Sequence, residues 1–240
     1  MKETSRWHSE RLGQEVTLAR WGVFGKPVLL FPTAGGDAEE VERFHLIGAL
    51  EPLINDGRIK VYSCDSVAGR TWMQGSSPRH AAWIQNMFHE YVRHEVIPAI
   101  RNDCQTPDIQ AIATGASLGA YNALAVLCRY PDAFSHAICM SGTYNMERFA
   151  DGQFSEDLYY SSPLHFLPSL NGESIETLRQ RFVILASGQG RAEDIGETWR
   201  MADVLGRQGI PNRVDPWGAE WHHDWPTWRR MLPQYLEELV

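Results

Sequence analysis

The chain has 240 residues, which suits one domain with a substantial core, and we expect a single domain over residues 1–240. Its 43% hydrophobic and 22% charged residues are typical of a globular protein and exclude disorder as the default. The net charge of −8, with no offsetting cluster of Lys or Arg, predicts that nucleic acid is not a partner.

The cysteines and the N-terminus indicate a compartment. The four cysteines are scattered without zinc-binding spacing, and most lie in apolar runs where free buried thiols are common: Cys64, Cys104, Cys128 and Cys139. The N-terminus lacks the apolar region of a secretory signal, and no segment approaches the roughly 18 apolar residues of a membrane span. We therefore expect a cytoplasmic protein without a membrane partner, and the sequence leaves open whether it forms a homo-oligomer.

Strand and helix patterns alternate along the chain. In chain order, the hydrophobic periodicity predicts strands at 14–20 and 26–32, a glycine turn and helix over 33–54 capped by Asp37, a strand at 58–64, a long helix at 77–101, a strand at 109–114, a helix at 118–129, a strand at 135–142, an irregular segment at 143–172 that covers a site, a strand at 181–188, a helix at 194–208, a strand at 212–218 and a helix at 226–239. This alternation predicts an α/β fold with a mostly parallel sheet and helices on both faces, to which the first hairpin-like pair, 14–20 and 26–32, is expected to add antiparallel edge strands.

Ser117 is the candidate nucleophile. It stands in Gly115-Ala-Ser-Leu-Gly119, between a predicted strand and a predicted helix. A catalytic serine on a tight strand-to-helix turn needs small neighbours, and such a turn also aims the N–H of Leu118 at a developing oxyanion. The alternative is that Ser117 only caps the helix.

The serine requires a base and a carboxylate that orients it, in the chain order Ser, acid, His. The loop before the last helix contains His222 and His223, and one of the two is expected to be the base. A metal site at this pair is disfavoured because no further ligands are suitably spaced. His136, at the start of a strand, is expected to have a packing or surface role, and His165 to line the site without reacting.

The acid is expected in the loop after strand 181–188. Asp194 is the first choice, Glu193 the second and Glu197 the third. The alternative is that these carboxylates only favour the first turn of a helix.

The loop after strand 26–32 is expected to supply the second oxyanion donor. Its glycines allow close backbone approach, and Ala34 is the predicted donor, with Thr33 the alternative. A plain glycine turn before a helix would have the same residues.

Three segments resemble the "Putative esterase" family of α/β-hydrolases, which includes esterase D (S-formylglutathione hydrolase), feruloyl esterases and mycolyl transferases. LLFPTAGGD (29–37) is similar to the family's oxyanion loop, GASLGAYNAL (115–124) to its G-x-S-x-G-G elbow, and HDWPTW (223–228) to its H-x-W-x-x-W ending. The chain departs from the family pattern at Pro32-Thr33, where His-Gly is usual, and at Ala120, where a second Gly is common.

The resemblance implies the α/β-hydrolase fold and selects His223 as the base, because His223 stands two residues before Trp225. It also implies an acid about thirty residues upstream, which fits Asp194, 29 residues before His223. The segment SCDSVAGRTW (63–72) resembles the part of the family that contributes to the acyl side of the pocket, which includes Trp72 here.

The sequence as a whole predicts a serine carboxylesterase. It would hydrolyse a small ester through an acyl-enzyme, with catalytic residues Ser117, His223 and Asp194, without cofactor or metal. Thr33, Trp72 and His222 are expected to bind substrate. The tryptophans near this site either wall an aromatic pocket or pack the last helix: Trp72, Trp217, Trp221, Trp225 and Trp228. Two alternatives are an acyltransferase with the same triad and a catalytically silent ligand-binding protein, and the acyl and alcohol groups are not specified.

Overall fold

A computed structural model describes residues 1–240 and contains one eight-stranded sheet. Its strands are β1 (Lys2–Ser9), β2 (Gln14–Trp21), β3 (Lys26–Phe31), β4 (Ile59–Cys64), β5 (Ala111–Ala116), β6 (Phe134–Met140), β7 (Phe182–Ser187) and β8 (Asn212–Pro216). Their spatial order is β1-β2-β4-β3-β5-β6-β7-β8. Strands β3 to β8 pair in parallel, and β1 and β2 add an antiparallel edge.

Eleven α-helices connect and flank these strands. They are α1 (Glu40–Arg43), α2 (Leu46–Asn55), α3 (Val67–Met73), α4 (Pro78–Tyr91), α5 (Ile97–Asp103), α6 (Leu118–Arg129), α7 (Glu156–Ser161), α8 (Pro163–Phe166), α9 (Glu173–Leu178), α10 (Ile195–Arg207) and α11 (Trp225–Leu239). A π-helical turn at Val92–Val96 joins α4 to α5, so the two run as one long helix, as the sequence predicts for 77–101.

The sheet is buried on both faces. Successive residues of β5 point to opposite sides, so Ile112 joins the core beneath α2 and α11 while Ala113 joins the core beneath α4 and α6. The continuous apolar runs of the parallel strands follow from this double burial. The predicted α/β-hydrolase architecture, a mostly parallel sheet with helices on both faces, is confirmed.

Three differences from the sequence prediction have local causes. Strand β1 was not predicted, because KETSRWHS is largely exposed and polar, and its register comes from the hairpin with β2. The helix expected over 33–54 is divided, since His45 adopts a positive φ of 62° between α1 and α2. Asp37 does not cap a helix; it accepts the N–H of Glu39 at 2.9 Å.

The segment 143–172, expected to be irregular, contains short helical turns. Met146, Ala150 and Leu158 pack with Leu118 and Tyr121 in a small buried cluster beside the start of α6. The segment therefore packs against the helix that follows Ser117, which agrees with its expected place over the site.

None of the helices combines the length and the hydrophobicity that crossing a bilayer requires.

Candidate active site

The site lies where the parallel strands end, at the carboxyl edge of the sheet, as is usual in open α/β folds. Ser117 follows β5, Ser141 follows β6, Glu193 follows β7 and His223 follows β8. Since β5, β6, β7 and β8 are consecutive neighbours in the sheet, the chain brings these four residues to one edge.

Ser117 occupies a strained turn between β5 and α6. Its backbone has φ 58° and ψ −121°, a conformation that non-glycine residues adopt at a cost of about 1–3 kcal/mol. The side chain is half-buried and accepts no capping hydrogen bond from α6. The structure thus gives no support to the helix-cap alternative, and the turn has the geometry of a nucleophile elbow.

The two glycines of the motif are required by close backbone contacts. A Cβ on Gly115 would lie 2.5 Å from the backbone carbon of Gly119. A Cβ on Gly119 would overlap the carbonyl oxygen of Phe31, at the end of β3. The start of α6 therefore lies directly against the end of the strand that leads to the predicted oxyanion loop.

Leu118, one of the two predicted oxyanion donors, belongs to the small buried cluster beside the start of α6. Ala34, the other predicted donor, packs against this cluster, and so does Trp72. The N–H of Ala34 has no acceptor within the protein. Thr33 has no such freedom, because its N–H and its hydroxyl both donate to Glu40, each at 2.8 Å. The structure therefore does not support Thr33 as the alternative oxyanion donor, and its side chain faces Glu40.

His223 lies beside a buried carboxylate. Its Nδ1 is 3.5 Å from Oε2 of Glu193, whose side chain is only 1% exposed. The His223 side chain is 23% exposed, so part of the ring remains accessible to solvent. A carboxylate on Nδ1 is the arrangement that leaves Nε2 free to take a proton.

Asp194, the predicted acid, does not face His223. It is exposed at the N-terminus of α10, where its carboxylate accepts the N–H groups of Gly196 and Glu197 at 3.0 and 3.3 Å. The carboxylate that the structure places beside His223 is that of Glu193, the second choice from the sequence, and not that of Asp194. Glu197 instead accepts the N–H of Tyr144 at 2.7 Å and binds Arg148, which anchors the segment after β6.

Glu193 is held by groups that the sequence analysis did not identify. Ser141 donates its hydroxyl to Oε1 at 2.6 Å, and the Ser187 hydroxyl, which donates to the Gly188 carbonyl at 3.0 Å, lies 3.4 Å from Oε2. Trp228 on α11 donates its indole N–H to Ser141 Oγ at 3.0 Å and meets the edge of the His223 ring at a centroid distance of 5.2 Å. A Ser-Gly pair directly after a buried strand was the available signal for Ser141.

The other predicted binding residues are dispersed. His222 is exposed and accepts the N–H of Arg191 at its Nδ1, at 3.0 Å. Trp72 on α3 donates to Gln85 at 3.3 Å and faces Phe149 across 6.4 Å. His165 is paired with Glu147 at 3.0 Å.

The tryptophans after β8 mainly pack the last helix. Trp217 donates to Tyr235 on α11 at 2.7 Å and meets Trp221 edge-on, while Trp225 stacks on Phe44 at 4.7 Å. Of the predicted aromatic wall, this leaves Trp72 beside Leu118 and Trp228 beside His223.

Burial acts on the carboxyl group at the start of α1. It raises the pKa of the Glu40 carboxyl, and the hydrogen bonds from Thr33 partly oppose that effect. No group of three or more His, Cys, Asp or Glu side chains in the chain is arranged to hold a metal ion.

Known proteins share this architecture. The sequence matches the family model described as "Putative esterase" over residues 55–239. No protein of curated function matches it.

Similar solved structures include a ferulic acid esterase (TM-score 0.76, 14% identity, covering 100% of this chain and 99% of that one). They also include the S-formylglutathione hydrolase FrmB from Staphylococcus aureus (0.66, 14%, 100% and 96%) and MPT51 from Mycobacterium tuberculosis (0.67, 16%, 100% and 97%).

The fold and the family match define a carboxylic ester hydrolase of the α/β-hydrolase class. Because the family model covers most of the chain, this protein belongs to the "Putative esterase" family, as the motifs in its sequence predict.

Proposed function

We propose that this esterase is a serine carboxylesterase whose triad is Ser117, His223 and Glu193, and that it hydrolyses a small ester through an acyl-enzyme. The observation that supports this proposal is the pairing of His223 Nδ1 with the buried Glu193 carboxylate at the sheet edge that also carries the strained Ser117 turn. The separation of 3.5 Å is long for a hydrogen bond, and such catalytic contacts commonly shorten when substrate binds.

In the acylation half, Nε2 of His223 takes the hydroxyl proton of Ser117 while Oγ attacks the ester carbonyl. The negative charge moves to the carbonyl oxygen, where the N–H groups of Leu118 and Ala34 would receive it. Glu193 stabilises the imidazolium that forms on His223. Collapse of the tetrahedral intermediate breaks the bond to the alcohol oxygen, which leaves with the proton from Nε2.

In the deacylation half, water replaces the alcohol. Nε2 of His223 takes a proton from water, the resulting hydroxide adds to the acyl carbon, and Ser117 leaves with that proton restored to its oxygen. The enzyme is regenerated and the products are a carboxylic acid and an alcohol. These steps use only side chains and backbone groups of this chain, so the proposed reaction requires neither a cofactor nor a metal.

The acyl side of the pocket is proposed to be apolar. Leu118 and Tyr121 belong to a buried cluster against which Ala34 and Trp72 also pack. An ester with a small apolar acyl group would extend from Ser117 towards this cluster without leaving a polar group unpaired. We retain the prediction that the enzyme acts in the cytoplasm.

Labelling with a fluorophosphonate probe tests this proposal. We expect the protein to take up one equivalent, measured by intact mass, and to hydrolyse 4-nitrophenyl acetate. Ser117→Ala should abolish both, whereas Ser169→Ala, at an exposed serine away from the elbow, should change neither. A protein that neither reacts with the probe nor hydrolyses short, long or aromatic acyl esters would contradict it, and preferential acyl transfer to added alcohols would identify a transferase.

A further inference from the structure

The turn that carries Ala34 has few means of fixing its own shape. It spans Thr33 to Gly36 between β3 and α1, and its last three residues, Ala-Gly-Gly, have no polar side chains. One backbone bond, from the N–H of Gly36 to the carbonyl of Thr33 at 3.1 Å, closes it. An oxyanion donor must nevertheless be held in a defined direction before the reaction begins, since its contribution depends on preorganisation.

Glu40 provides the missing restraint. Its two carboxylate oxygens accept the N–H and the hydroxyl of Thr33, each at 2.8 Å. With the Thr33 carbonyl bound by Gly36, the N–H, the side chain and the carbonyl of Thr33 are all fixed. The N–H of Ala34 belongs to the same planar peptide unit as the Thr33 carbonyl, so its direction is fixed as well.

The turn is shaped around this carboxylate. A Cβ on Gly36 would overlap Glu40 Oε2, so only glycine fits there without displacing the acid. Glu40 is 7% exposed and forms no ion pair, because the nearby Arg43 binds Asp37 instead, at 2.9 Å. A buried carboxylate without a cationic partner lowers stability, so its position calls for a compensating role.

A small movement of this turn would also alter its distance from the nucleophile. The carbonyls of Phe31 and Pro32, directly before Thr33, lie against Gly119 in the first turn of α6. On the other side, Ser66 and Arg70 bind the Ala34 and Gly36 carbonyls at 3.4 and 3.1 Å. Ser66 and Arg70 thus hold two carbonyl groups of the turn, and Glu40 holds the N–H of its first residue, Thr33.

We propose that Glu40 is a positioning residue for the oxyanion hole: it holds Thr33 so that the Ala34 N–H points at the oxygen that becomes negative. This inference rests on the proposed function, because it assigns Ala34 as a donor to the tetrahedral intermediate.

Glu40→Met and Glu40→Gln separate this role from a structural one. Methionine has a similar volume but accepts neither bond, so we expect kcat for 4-nitrophenyl acetate to fall about 10- to 100-fold with KM changed less than about threefold, below the loss from deleting a donor outright. Glutamine can accept the Thr33 N–H and donate to the Thr33 hydroxyl, so it should restore most of kcat. Glu39→Met, at the neighbouring half-exposed acid that binds Lys2, is the matched control and should leave kcat unchanged.

Inhibition by phenylboronic acid provides a second measurement. The boron atom adds to a serine hydroxyl as a tetrahedral anion that needs the oxyanion hole, so its inhibition constant should weaken in Glu40→Met by about the factor lost in kcat/KM. Removing the buried charge raises stability, whereas leaving the Thr33 N–H and hydroxyl without an acceptor lowers it, so the thermal midpoint serves to verify that the variant folds. If Glu40→Met does not fold, Thr33→Val, which removes one of the two bonds, should lower kcat about 3- to 10-fold and Thr33→Ser should restore it.

The outcomes distinguish the two proposals. Wild-type kcat and boronate affinity in Glu40→Met, or wild-type kcat in Thr33→Val, would overturn the role of Glu40 while leaving the serine esterase intact. A wild-type protein without Ser117-dependent hydrolysis would overturn the proposed function itself.

Discussion

Replacing each of the two adjacent acids after β7, Glu193 and Asp194, by its amide tests the geometry of the proposed triad. Glu193→Gln keeps the size of the side chain, and its amide oxygen can still accept the Ser141 hydroxyl, which is now 2.6 Å from Glu193. The amide N–H₂ would then face His223 Nδ1, and because the site around residue 193 is buried, water cannot take the place of the carboxylate. The imidazole would turn to the tautomer with the proton on Nε2, which cannot accept a proton from Ser117.

The expected loss is about 10³- to 10⁴-fold in kcat, which corresponds to about 4 to 5.5 kcal/mol of transition-state stabilisation. Asp194→Asn should change kcat less than about threefold, since Asp194 caps α10 and asparagine caps helices about as well as aspartate. The assay is kcat and KM for 4-nitrophenyl acetate, with thermal midpoints to verify folding. A larger loss in Asp194→Asn than in Glu193→Gln would refute the assignment of Glu193.

Two further predictions concern histidines. His223→Ala should lower kcat by about 10⁴- to 10⁶-fold, as removal of a triad base does, whereas His222→Ala, exposed and bound only to a backbone N–H, should cost less than about tenfold; the reverse order in a steady-state assay would refute the base assignment. Burial, with a contribution from the charge of Arg129, depresses the pKa of His89 well below its usual value. At a pH below about 6.5, His89 therefore binds a proton in the unfolded chain but not in the folded chain. The free energy of unfolding is not reduced by this group above that pH, and it falls by about 1.4 kcal/mol per pH unit below it. The free energy of unfolding, measured by urea denaturation between pH 7 and 5, should fall less steeply with decreasing pH in His89→Gln than in the wild type. Burial also depresses the pKa of His136, but this contribution is common to both proteins. An equal pH dependence in the two proteins would contradict the assignment to His89.

The regular elements of the fold were accessible from the sequence because their patterns are local. The parallel strands are buried on both faces and read as short apolar runs, and the helix after Ser117 ends at Tyr130-Pro131 as expected. Strand β1 had no such pattern, because its order comes from pairing with β2 rather than from burial of its own side chains.

Only part of the candidate site could be predicted from the sequence, because some of its residues lie in local motifs and others depend on contacts made by the folded chain. Short motifs predict Ser117, Ala34 and His223 as site residues, and the fold places Ser117 and His223 at the same edge of the sheet. The selection between Glu193 and Asp194 depends on a turn at Ala192, with φ 62°, that directs one carboxylate inwards and the next to the helix cap. The proposed roles of Ser141 and Glu40 depend on side-chain contacts made by the folded chain, between residues 52 apart for Ser141 and Glu193 and seven apart for Glu40 and Thr33. No sequence motif used above encodes these contacts.

The bond from Trp228 to Ser141 links α11 to the proposed triad. The acid after β7 is oriented by a serine after β6, and that serine is in turn oriented by a helix that is the final element of the chain. A nascent chain would therefore contain all three residues of the proposed triad before residues 225–239 dock, but Ser141 would lack its bond from Trp228 until they do. Reversible detachment of the same helix would remove this support from Glu193 at a temperature where most of the secondary structure persists.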